Sequence, residues 1–68
     1  MENNFNENLK RLRLKTKSTK EEIAKLLDVN VKTYAHWEKR TEPSIDWLIK
    51  ICKLFGVSAQ DMLTTKIS

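Results

Sequence analysis

The chain has 68 residues, one Gly, one Pro, one Cys and a formal net charge of +4. A length this small accommodates one core, and so little Gly and Pro without a repeat excludes a turn-rich β fold. No apolar run approaches the roughly 18 residues of a membrane span, and MENNFNEN does not have the pattern of a signal peptide.

A single all-α domain spanning 1–68 is therefore predicted, with a folded core over about residues 5–63 and a cytoplasmic location. Cys52 cannot close an internal disulfide. Together with the single His36 it makes a poor metal site, so Cys52 is read as a small core residue. No Gly-rich phosphate loop and no Ser/His/Asp set is present, so no catalytic residues, cofactor or metal are assigned and an enzyme is not expected.

In chain order, the polar start is expected to fray. A first helix is predicted from after Asn4 to about Lys15, with Phe5, Leu9 and Leu12 on its inward stripe. Thr19 with Glu22 has the form of a capping box, opening a second helix from Lys20 to Leu27. Its apolar side is read as Ile23, Ala24, Leu26 and Leu27, with Ala24 small enough for close approach by the next helix. Asp28 ends it where a positive φ is required.

Asn30 is the expected N-cap of a third helix, Val31 to about Lys39. The i, i+3, i+4 spacing puts Tyr34, Trp37 and Glu38 on one face and Val31, Lys32, Ala35, His36 and Lys39 on the other. Pro43 breaks the chain and Ser44 caps a fourth helix, whose core stripe is Ile45, Leu48, Ile51, Cys52 and Phe55, ended by Gly56. Ser58 with Asp61 opens a short fifth helix holding Met62 and Leu63, and the tail from Thr64 is expected to be loose.

Charge is unevenly placed. Lys10 to Arg40 carries ten Lys/Arg against four Asp/Glu, while the remainder carries three against five. A basic segment centred on two short helices joined by a tight break suits a DNA-binding face, with the second helix of the pair in the major groove.

The combination LKRLR, EEIAKLL, TYAHWE, PS and LFGVS, in that order from Leu9 to Leu63, resembles the lambda-repressor/Cro-type, or XRE-type, helix-turn-helix family. The resemblance implies five helices, the third in the major groove, and two subunits on one operator. It also implies that Arg13 and Glu38 form an ion pair joining the first helix to the end of the third, a geometry that a guanidinium fork suits. Lys20 matches a phosphate-contacting position usually held by Gln, and Val31, Lys32 and His36 match base-facing positions. Three departures stand out: Asp28 replaces a usual Gly, Ser18 stands where an apolar residue is usual, and WEKRTEPS is one residue shorter than the usual Gly-containing turn.

Lys32 is the main candidate for a base contact, since an ammonium in the first turn of a recognition helix can donate to guanine O6 and N7. Val31 and Ala35 are candidates for a thymine methyl, with Ala35 equally well incidental. His36 can donate to guanine or a phosphate, or cover Trp37. Candidates for the phosphate backbone are Arg11, Lys17, Thr19, Lys20, Thr33, Lys39 and Arg40, with Thr33 equally able to cap locally.

The expected activity is sequence-specific recognition of double-stranded DNA by a transcriptional regulator acting as a homodimer, its interface formed by Trp47, Leu54 and Met62. The alternative is a protein-interaction module of the same fold, with Trp47 and Leu54 as the working face and a protein partner in place of DNA.

Overall fold

The computed structural model describes residues 4–66. Five helices follow in order: α1 Phe5–Lys15, α2 Lys20–Leu27, α3 Val31–Lys39, α4 Ile45–Phe55 and α5 Ala59–Thr64. There is no strand among the described residues, and none of these helices is long and apolar enough to cross a membrane.

The helix ends arise from local chemistry. Thr19 and Glu22 form the reciprocal capping box: Glu22 N–H donates to Thr19 Oγ1 at 3.1 Å and Thr19 N–H donates to Glu22 Oε1 at 2.8 Å. Asn30 Oδ1 accepts from Lys32 N–H at 2.8 Å, and Ser58 Oγ from Asp61 N–H at 3.0 Å. Ser44 has the extended backbone of a cap, but its hydroxyl makes no capping bond.

α2 stops at Asp28, which adopts the left-handed conformation, φ 59°. Its N–H reaches Lys25 O and the N–H of Val29 reaches Ala24 O, the paired bonds that satisfy the last carbonyls of a helix. The same pairing ends α1, with Lys17 left-handed at φ 57° and bonds from Lys17 to Leu14 and from Ser18 to Arg13. Only α4 uses Gly for this conformation, at Gly56.

Phe5, Leu9, Ile23, Ala24, Tyr34, Trp37, Ile51 and Met62 are the heart of the core, flanked by Leu12, Leu27, Leu48 and Cys52. Two residues placed inward from the sequence are instead outside. Leu26 is 66% and Ile45 67% exposed. Leu26 and Leu27 lie 100° apart on a helix, and the narrow buried stripe of α2 takes only Leu27 with Ile23 and Ala24. Ile45, in the first turn of α4, overhangs a hollow beside Pro43 and Leu63.

The ends of the described residues are tied together, Thr64 and Thr65 of the tail expected to be loose among them. Asn4 N–H donates to Leu63 O at 2.8 Å, and Asn4 Nδ2 reaches Thr64 O. Asn8, fully buried, donates through Nδ2 to Met62 O at 2.8 Å and Thr65 O at 2.6 Å. The N-terminal half of α1 thus caps the C-terminal end of α5. Residues 1–3 and 67–68 of the two segments expected to be loose lie outside the described residues.

Candidate nucleic-acid interface

α3 presents two unlike faces. Tyr34, Trp37 and Glu38 are buried, while Lys32, Thr33, His36 and Lys39 are exposed. The inward aromatics lock this orientation: Tyr34 meets Trp37 edge-on with ring centroids 6.5 Å apart, and Trp37 lies 5.6 Å from Trp47. At 100° per residue, Lys32, His36 and Lys39 centre the outward face. Val31 and Ala35 form one flank, both half-buried, and Thr33 and Arg40 the other. Val31 also leans on the core, which leaves only part of its side chain for a groove.

Arg13 and Glu38 hold α3 against α1. Arg13 Nε donates to Glu38 Oε2 at 2.6 Å and Nη2 to Oε1 at 3.2 Å, while Nη1 donates to Ser18 O at 3.0 Å. Both residues are 8% exposed. The bonds to Glu38 raise the Arg13 pKa above its ordinary value, against the opposing pull of burial. The Tyr34 hydroxyl is buried beside the pair. Burial first, and then the Glu38 carboxylate, raise its pKa well above the usual phenol value. No acceptor or donor reaches this hydroxyl at hydrogen-bonding geometry.

The remaining candidates fall at different places. Lys20 and Thr19 open α2, where the capping box already occupies the amides of Thr19 and Glu22; those of Lys20 and Glu21 face no capping side chain. Arg40 and Lys39 end α3, both exposed. Arg11 lies outside the helix pair and is engaged by Glu7 across one turn of α1 at 2.6 Å. Lys17 occupies the turn between α1 and α2.

One residue near the interface escaped the sequence reading. Asn6 Nδ2 donates to Trp37 O at 2.6 Å and to Thr41 O at 3.1 Å, tying the end of α3 and the following turn to α1. The signal for such clamps was present in part. Asn8 sits i+3 from Phe5 and i−4 from Leu12, a polar residue inside an apolar stripe, which requires hydrogen-bond partners when buried.

The predicted dimer residues separate. Met62 is fully buried and offers nothing to a second copy. Trp47 is half-buried, packed under Trp37 with Lys50 Nζ 4.5 Å over its ring. Leu54 alone stands open, at 39%.

A capped helix pair that turns a cationic face outward is the architecture of a helix-turn-helix DNA-binding protein. The chain belongs to the XRE-type helix-turn-helix family, whose profile matches residues 9–62. A solved structure of a transcriptional regulator from Listeria innocua is similar, with a TM-score of 0.85 and 28% identity. The likeness covers 100% of this chain and 66% of that one, so the present chain spans about two thirds of its length. Among curated proteins none matches significantly.

Proposed function

We propose that this protein is a sequence-specific double-stranded DNA-binding transcriptional regulator that inserts α3 into the major groove of an operator. The observation that carries this reading is the outward placement of Lys32 and His36 opposite fully buried Tyr34. Lys32 and His36 read base edges, Val31 and Ala35 line the groove, and Lys39, Arg40, Thr33, Thr19 and Lys20 contact the flanking phosphates. Lys17 and Arg11 are the outermost phosphate candidates, and Arg11 must share its guanidinium with Glu7.

A single module of this size buries little DNA surface, so two copies acting on half-sites about 34 Å apart fit the reading. For their contact we propose Ile45 and Ile49, one turn apart on α4 and 67% and 44% exposed. Selection of bound sequences from random duplexes tests the reading. Lys32→Ala should then relax preference at one position, costing about 1–3 kcal/mol there. Lys39→Ala should weaken all sequences alike and lower the salt slope by about 0.9. Binding that is absent at low salt, or indifferent to sequence, would refute the proposal, and Ile49→Glu that leaves a dimer intact would refute the interface.

A further inference from the structure

Away from the outward face of α3, an open groove of about 480 Å³ lies between α2 and α4, lined by Leu26, Leu27, Leu54, Lys50 and Lys53. Leu26 stands as a ridge between this groove and a second hollow that contains Lys25, Glu22 and Ser18. Leu26 has no packing role that explains it, being 66% exposed at the end of a helix whose other apolar residues are buried. Leucines exposed side by side mark a contact surface more often than isolated apolar residues do.

The charge around the groove selects among occupants. Lys50 and Lys53 line it, Lys25 lies with Glu22 across the Leu26 ridge, and no carboxylate of the described residues is within ion-pair distance of any of the three lysines. A second copy docking by two-fold symmetry would set these lysines against their own counterparts, which is repulsive. Duplex DNA would meet the lysines but would strand the leucines against phosphate and sugar. A segment with apolar residues on one helical stripe and carboxylates on its flanks satisfies both features.

We infer that the α2–α4 groove docks an acidic amphipathic helix of a protein partner, with Leu26 and Leu54 gripping its apolar stripe and Lys50 and Lys53 its flanking carboxylates. The DNA face stays free in this arrangement, so the chain can hold an operator and a partner together.

The test uses a synthetic helix-forming peptide with leucines at i, i+3, i+4 and i+7 and glutamates on both flanks. Two controls accompany it, one with lysine for each glutamate and one with serine for each leucine. Titration followed by methyl NMR should move the resonances of Leu26, Leu27 and Leu54. The acidic peptide should bind at least about tenfold more tightly than either control, with affinity falling as salt rises. Leu26→Ser should cost about tenfold in peptide affinity while leaving duplex binding unchanged, since its side chain lies mostly in solvent. Lys50→Glu combined with Lys53→Glu should turn the preference toward the lysine peptide.

Equal binding of acidic and basic peptides, shifts confined to other residues, or displacement of the peptide by duplex DNA would overturn the inference. So would a dimer that Leu26→Ser dissociates. Duplex binding is measured in the same samples, so failure of the groove and failure of the DNA reading are separate results.

Discussion

The buried pair of Arg13 and Glu38 makes an asymmetric prediction. Glu38→Ala strands a guanidinium that keeps only Ser18 O as an acceptor at 3.0 Å. Arg13→Ala strands a carboxylate, but the unpaired Tyr34 hydroxyl lies beside it and can turn to donate. Removing one partner of a buried pair costs about 3–5 kcal/mol, and a recovered bond to a charged group returns about 1.5 kcal/mol. Arg13→Ala should therefore cost about 1.5–3.5 kcal/mol and Glu38→Ala the full amount, about 3–5 kcal/mol. A chain of this length has about 3–10 kcal/mol in total, so Glu38→Ala should be close to unfolded at room temperature.

Urea titration at constant ionic strength, followed by Trp fluorescence, measures both variants. The double variant Arg13→Met with Glu38→Leu closes the cycle and should be more stable than either single variant, because it leaves no charge behind. Adding Tyr34→Phe to Arg13→Ala should remove the recovered bond and bring its cost up to that of Glu38→Ala. Single variants that each lose under about 1 kcal/mol would show that the pair behaves as an exposed bridge. That result would also refute the account of how α3 is held.

Asp28→Gly should stabilise by about 0.5–1 kcal/mol, several degrees in melting temperature, by removing a Cβ from the left-handed position. Lys17→Gly should do at least as much; calorimetry checks both. Tyr34 is the single tyrosine, and its raised pKa means the folded state keeps a proton that the unfolded state releases above about pH 10. This contribution is fully present below that pH and is lost as pH rises further, so the tyrosinate absorbance should appear together with unfolding. Tyr34→Phe should flatten the alkaline loss of stability. Asn6→Ala removes two bonds from the turn after α3 and should cost about 1–2 kcal/mol of stability. It should also lower the salt slope of DNA binding without altering sequence preference.

The sequence alone was sufficient for most features settled within four residues, though not for Ser44, whose hydroxyl makes no capping bond, or for the left-handed Lys17. The Thr19–Glu22 box, the Asn30 and Ser58 caps and the left-handed Asp28 are contacts between near neighbours, and the 3.6-residue period separated Lys32 and His36 from Tyr34 and Trp37. The pairing of Arg13 with Glu38 was legible only through the family pattern, since 25 residues separate them.

Only the tertiary structure decided which of two adjacent leucines was covered, that Met62 belonged to the core, and that Asn4, Asn6 and Asn8 would clamp helix ends up to 60 residues away. Periodicity says which side of a helix is apolar. How wide a stripe is buried depends on where neighbouring helices lie, and that is set by tertiary packing such as the contact of Trp37 on α3 with Trp47 on α4. The same packing left Leu26 and Leu54 in solvent.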